Sequence, residues 1–323
     1  MKKGAHKNFF ILIAFAVIHI TNAIFNRIVM AKFFFNFPLF ISILQYGILL
    51  LFIEIANSQN IIKLQPYTVE RGKELMIPSI LYSLSTYFTL TSLDGVSLHM
   101  FPLMTKLAPL TAIGIIFFLS EDRDTLTVGK IGIIGLIVLF SSMSVYFFYS
   151  FQPMSWFYGL FVAICLPYSF RLYYLQAEKT NIKDVIYVNC FNCFALFMIA
   201  DLVVNEVNYV YYYYQTSASL AFYVSILFQV ITGIFSYILL MYIIKKLGLI
   251  TTTVTYTTLQ SLQLFFAYLF SLILFYDITP TFFNILNIWL CVLCTIYYFM
   301  KHCQSISFLN RTTFKYTVSP NKR

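Results

Sequence analysis

Ten apolar stretches divide this chain, and its cations fall in every second gap between them. The stretches cover roughly 9–30, 38–56, 75–93, 98–119, 127–149, 154–176, 184–204, 217–244, 249–276 and 282–300. Each has about the ~20 residues needed to cross ~30 Å of hydrocarbon. With the N-terminus taken as cytoplasmic, one side holds Lys2, Lys3 and Lys7; Lys63, Arg71 and Lys73; Arg123 and Lys130; Arg171, Lys179 and Lys183; Lys245 and Lys246; and Lys301, Arg311, Lys315, Lys322 and Arg323. Of the 21 lysines and arginines, only Arg27, Lys32 and Lys106 are left over. The positive-inside rule then predicts ten spans with both termini in the cytoplasm.

Composition excludes a soluble domain. The chain is 60% hydrophobic and 10% charged, against about 25% charged residues in a soluble domain. The longest polar gap runs only from Asn57 to Glu74. The expected fold class is therefore all-α, in one transmembrane domain over 1–323, followed within it by a polar cytoplasmic tail at 301–323 that is expected to be disordered. The net charge of +9 is mostly the topology signal, and attraction to anionic cytoplasmic lipid accounts for the rest. It does not argue for nucleic acid as a partner; the lipid bilayer is the expected one. The first stretch is too long for a signal-peptide core and lacks a small-residue cleavage site, so it reads as a signal anchor. The sequon at Asn310 would go unused in a cytoplasmic tail.

Six cysteines include the pairs Cys190/Cys193 and Cys291/Cys294, both inside predicted spans. A four-thiolate zinc site would need both helices to meet and the thiols to ionise in apolar surroundings. Small apolar packing residues are the simpler reading, so neither a metal nor a cofactor is expected.

Ten spans split as five plus five, and an odd number in each half inverts the second half relative to the first. Repeat one would cover about 9–149 and repeat two about 154–300. Inverted repeats are a common transporter design, with the site between halves. Asp94-Gly95-Val96-Ser97-Leu98 and Leu247-Gly248-Leu249-Ile250-Thr251 form short turns at corresponding places. Matching Gly95 to Gly248 sets Lys106 opposite Leu259, beside Gln260.

Several spans carry polar stripes at helical spacing. Span 1 has His19, Asn22 and Asn26; span 3 has Ser79, Ser83 and Thr86; span 7 has Asn189 and Asn192. Span 8 has Ser225, Gln229, Thr232 and Ser236, and span 9 has Thr253, Tyr256, Gln260, Gln263 and Ala267. Any one stripe could be interhelical hydrogen-bond glue. Five at once suggest a polar cavity.

Lys106 lies near mid-depth of span 4, between Pro102 and Pro109, with no acidic residue predicted at its depth. A cation there costs several kcal/mol and normally faces a cavity or a partner. Arg27 is nearer the luminal end of span 1, where snorkelling is an alternative; Arg171 reads as a topology residue. Cavity cations imply an anionic cargo, because arginine forks onto phosphate oxygens and lysine supplies a compact charge. An enzyme is not expected: His19 and His99 lie in different spans with no acidic companion nearby.

Over nearly its whole length the chain resembles the nucleotide-sugar transporters of the drug/metabolite transporter superfamily. Asn26-Arg27 resembles the Asn-Lys pair ending the family's first span, and Gln45 its second-span glutamine. Val96 through Lys106 resembles the segment leading to a basic residue on span 4. Phe191-Asn192 is similar to the Tyr-Asn of span 7, with Asn189 as the other match. Gly248 through Val254 resembles the start of span 9, and Phe275-Tyr276-Asp277 with Asn284 its end and the turn into span 10. The resemblance implies ten helices in two inverted halves, and antiport of a cytosolic nucleotide-sugar against a luminal nucleoside monophosphate in the Golgi or endoplasmic reticulum. It implies cargo-binding roles for Lys106, Arg27, Asn26, Asn192, Asn189, Tyr256, Gln260 and Gln263. Span 9 departs from the pattern, offering Gln260, Ser261 and Gln263 where relatives carry a glycine and then a lysine. The alternatives are a phosphate-ester or triose-phosphate translocator of the same fold and a non-transporting scaffold. A homodimer is compatible with the chain.

Overall fold

A computed structural model describes residues 3–91, 100–119, 126–145, 153–213, 219–270 and 281–316. The elements are α1 (Lys3–Arg27), a π-helical turn (Ile28–Lys32), α2 (Pro38–Ser58), α3 (Val69–Glu74), α4 (Met76–Thr91), α5 (Met100–Thr105), α6 (Ala108–Leu119), α7 (Val128–Met143), α8 (Pro153–Lys179), α9 (Ile182–Val204), α10 (Glu206–Tyr213), α11 (Leu220–Phe270) and α12 (Phe282–Tyr316). Among the described residues all regular structure is helical. Phe10–Met30, Pro38–Ser58, Ile182–Val204, Leu220–Leu269 and Phe282–Lys301 are long and apolar enough to cross a membrane; Leu103–Leu119 and Val128–Met143 are shorter apolar helices. The short turn expected at Asp94–Leu98, His99, and the segment Phe275–Asp277 lie outside the described residues.

α11 is helical on both sides of a reversal at Gly248, where φ is 74° and ψ −179°. Among the described residues nothing lies within 4 Å of where a Cβ would sit, so the left-handed backbone conformation selects glycine here. The reversal follows from His19: its Nδ1 meets Ser236 Oγ at 2.9 Å, and its carbonyl accepts from Gln263 Nε2 at 3.4 Å. In a straight helix, residues 236 and 263 would stand about 40 Å apart at ~1.5 Å per residue. The two limbs of α11 therefore fold back on each other. The kink lies at the short turn expected around Gly248 and takes a single non-helical residue.

α1 packs along α11, α4 along α8, α2 on α9 and α7 on α12, while α8 also receives α5 and α6. The main core surrounds Phe15, Tyr46, Tyr82, Phe170, Tyr173 and Tyr237. A second cluster of Val29, Met30, Phe35, Ile41, Leu90 and Phe222 closes the end where α1, α2, α4 and α11 converge. Outward-facing residues such as Phe52, Leu202 and Val203 are apolar and exposed, as suits a surface solvated by lipid.

The first turn of α2 is capped from a distance. Pro38 sits at its start and the N-cap residue Phe37 has no capping side chain. The orphan N–H groups of Leu39 and Phe40 donate instead to Glu206 Oε2 on α10, at 2.8 and 3.2 Å. A carboxylate suits this place because a helix N-terminus carries partial positive charge. Burial pushes the Glu206 carboxyl above its ordinary range, the two N–H groups oppose that shift, and nearby Asp201 adds to it. α10 is reached through Asn205, left-handed at φ 64°, which caps α9 by its N–H to the Asp201 carbonyl.

The tail differs from expectation at its start, because α12 runs on through Tyr316. Extending an existing helix avoids the nucleation cost, so an apolar span can carry helix into the polar residues that follow.

Candidate functional site

Lys106 occupies a break between α5 and α6. Its N–H bonds Leu103 O at 3.3 Å and that of Leu107 bonds Met104 O at 3.1 Å, so both close tight three-residue turns. Pro109 has no N–H to give, which keeps the α-helical ladder from running through this point. The sequence predicts a kink; the structure has a complete interruption with Lys106 in it. The side chain is 0% exposed. Its ammonium donates to Ser261 Oγ on the second limb of α11 at 3.0 Å. Ser261 Oγ lies 2.8 Å from Ser141 Oγ of α7 and 4.0 Å from Cys291 Sγ of α12. Among the described residues no carboxylate pairs with Lys106; Arg71 and Asp184 form an ion pair elsewhere, at 4.0 Å. An ammonium carries three donors, so one serine hydroxyl leaves this cation far from saturated.

Gln260 adjoins the cluster, its Oε1 accepting from Thr105 Oγ1 at 3.4 Å. Thr105-Lys106 thus faces Gln260-Ser261. One turn back, the Tyr256 ring stands 5.1 Å from His19 and 6.3 Å from Phe170. Gln263 is directed elsewhere, to the His19 carbonyl.

α1 and the first limb of α11 form a polar zipper. His19 meets Ser236, and Asn22 Oδ1 accepts from Thr232 Oγ1 at 3.3 Å. The Phe25–Phe228 stack, with centroids 5.4 Å apart, carries the register onward. At the next level Asn26 Oδ1 and Gln229 Oε1 are buried without a hydrogen-bond partner among the described residues. Arg27 follows Asn26 at the last turn of α1, 6% exposed and joined directly to the π-helical turn. Eight residues, about 12 Å of helix, separate it from His19.

Asn189 and Asn192 make a third group, on α9. Asn189 Oδ1 accepts from Ser79 Oγ at 2.7 Å and Tyr173 OH at 2.6 Å, and its Nδ2 donates to Tyr237 OH at 2.6 Å. Asn192 accepts from Tyr67 OH at 3.0 Å and donates to Gly72 O at 2.9 Å. Both are buried and engaged by α4, α8 and α11 or by the segment around α3. Cys190 and Cys193 belong to this core, whereas Cys291 packs in a separate cluster with Ile134, Ile137 and Val254.

The predicted residues therefore gather in distinct places: Lys106 with Gln260, Tyr256 and Gln263 around His19, Asn26 and Arg27 further along α1, and Asn189 with Asn192 on α9. Sequence reasoning did not single out Ser141 at all; it named Ser261 in span 9 and Cys291 as a packing residue without placing either beside Lys106. Single hydroxyls and thiols in apolar helices are too common to stand out. The pairing of His19 with Ser236 was within reach, since both belong to stripes of matching period.

No family profile matches the chain and no curated protein matches it. Among solved structures 28 chains match. One of them, a crystal structure described only as that of a protein, has 12% identity to this chain over 87% of its length and 96% of its own, with a TM-score of 0.62. At that identity the likeness is one of fold.

Proposed function

We propose that the chain is a ten-span transporter of two inverted five-helix halves. It exchanges a nucleotide-sugar for a nucleoside monophosphate across a Golgi or endoplasmic reticulum membrane. The observation that carries this reading is Lys106, a fully buried cation in a helix break, bonded to one serine hydroxyl of a helix in the other half of the chain. Transporter sites are typically built from interrupted helices at mid-depth, and a buried, undersatisfied ammonium calls for an anionic partner.

The packing supports the two-half arrangement. Under a two-fold relation, α1 on α11 corresponds to α8 on α4, while the pairs α2–α9 and α7–α12 map onto themselves. All four packings are present. Ser261 stands against Lys106 where a second cation would strengthen the hold on a phosphate. That favours, as a second reading, a scaffold that kept the fold without transport.

The test is counterflow in proteoliposomes preloaded with each nucleoside monophosphate and offered a panel of nucleotide-sugars. Saturable exchange of one matched pair supports the proposal. Exchange of triose phosphate alone would replace it with a phosphate-ester translocator, and no exchange at all would favour the scaffold.

A further inference from the structure

A recess at the cation-rich end of the bundle has no part in the proposed transport. Beyond α2 the chain turns at Asn60, left-handed at φ 57°. Asn57 Oδ1 accepts the Leu64 N–H at 3.2 Å and fixes the return. This connection faces the one between α8 and α9. Between them lies a cavity of about 490 Å³ with Lys63 on one wall and Lys179 on the other. Gln65, Thr180 and Asn181 add neutral hydrogen-bonding groups, and Leu64 adds an apolar edge.

One acid, Asp184, also lines the recess. Its Oδ1 accepts the Gln65 N–H at 3.0 Å and lies 4.0 Å from Arg71 Nη2. Asp184 is thus engaged by the Gln65 N–H and by a cation outside the recess lining. Lys63 and Lys179 have no carboxylate partner among the described residues. The positive-inside rule asks only that such cations lie on one side of the membrane. It does not ask that lysines from two separate connections converge on one recess of a size suited to a small molecule.

We infer that this recess binds a phosphate group, presented by the headgroup of an anionic phospholipid or by a soluble phosphate. Lysine ammoniums are compact charges that engage phosphate from many directions. The Gln65 and Asn181 side-chain NH2 groups beside them can donate to the remaining oxygens, while the Thr180 hydroxyl is committed to the Gln176 carbonyl, and Leu64 offers contact to a glycerol backbone. Occupancy ties the segment after α2 to the start of α9 through one ligand. The inference is independent of the cargo, since Lys106 lies on other elements.

The test uses the purified full-length protein in neutral detergent at fixed ionic strength. Thermal stability is followed against dihexanoyl phosphatidic acid, dihexanoyl phosphatidylcholine and inorganic phosphate. Phosphatidic acid should raise the melting temperature saturably and phosphatidylcholine should not. At ~1 kcal/mol per lysine near a membrane surface, Lys63→Ala/Lys179→Ala should weaken the response on the order of thirtyfold. Both side chains are exposed, so the variant should fold. Lys245→Ala/Lys246→Ala, which removes two cations outside the recess lining, should respond like wild type. A response to inorganic phosphate of equal strength identifies the soluble source; a response to phosphatidic acid alone identifies the lipid. No saturable response to either, an unchanged response in Lys63→Ala/Lys179→Ala, or an equal loss in Lys245→Ala/Lys246→Ala overturns the site.

Discussion

Lys106 and Asn189 are both polar, both wholly buried and both among apolar helices, yet their surroundings are opposite. Asn189 accepts from Ser79 and Tyr173 and donates to Tyr237, joining α9 to α4, α8 and α11. Lys106 bonds Ser261 and leaves donors over. A saturated buried network specifies how helices meet. An undersaturated buried cation works against the fold, and such groups persist where function needs them. The difference separates glue from site more sharply than burial or polarity does.

Removing each group is the strongest way to break the comparison. Lys106→Met should abolish exchange, with affinity for the phosphate-bearing cargo down roughly ten- to hundredfold, or about 1.5–3 kcal/mol. Its thermal stability should hold or rise, since an apolar chain of similar length replaces an unpaired charge. Asn189→Ala should do the reverse. It should lower stability by about 1–3 kcal/mol through the partners left unsatisfied, while the folded fraction binds cargo normally. Calorimetry and ligand binding on both variants check the pair. A destabilised Lys106→Met that still binds would make Lys106 structural.

Sharpening comes next, from the second limb of α11. Gln260 borders the Lys106 cluster through Thr105, whereas Gln263 is committed to the His19 carbonyl. Gln260→Lys should tighten nucleoside monophosphate binding several-fold and lower the stability of the empty protein through like-charge repulsion with Lys106. Gln263→Lys should bind no more tightly than wild type. Isothermal titration distinguishes them, and equal tightening by both would mean that α11 presents a different face to the phosphate.

The smallest effect concerns Glu206, a carboxylate that accepts two backbone N–H groups on Oε2. Its folded-state pKa is raised by burial. The protonated form is therefore favoured by folding, and stability falls as pH rises from the ordinary carboxylate range through the raised value. Glu206→Gln removes that dependence. The wild type's stability relative to the variant should decline over that window and be flat on either side, as melting temperatures at a series of pH values will show. A difference that grows with pH would reverse the sign and refute the assignment.

What the sequence made legible was what each helix hides. Apolar runs marked the helices, and Lys106 stood out because no acid shares its depth. The stripes of spans 1 and 8 carried the spacing of their later contact. Partners across helices were not legible, because pairing depends on where distant segments meet. Ser141 and Ser261 are ordinary small residues until the fold sets Ser261 against both Ser141 and Lys106. Asn189 and Asn192 resemble site residues in sequence, and only their neighbours show how fully they are engaged. The interruption at Lys106 exceeds a proline kink because proline's missing donor coincides with two successive tight turns. The π-helical turn after Arg27 has no proline or glycine to announce it.

The remote cap on α2 also bears on how the molecule is made. The Leu39 N–H finds its acceptor 167 residues further along the chain. While the chain is being synthesised, the first turn of α2 has no such partner until α9 and α10 have emerged. An open helix end is costly away from water, so a nascent chain lacking its second half carries an unfinished helix terminus. Arrival of Glu206 supplies that terminus with its acceptor. The first turn of α2 therefore depends on a residue 167 positions further along the chain, and a chain truncated before α10 would lack that acceptor.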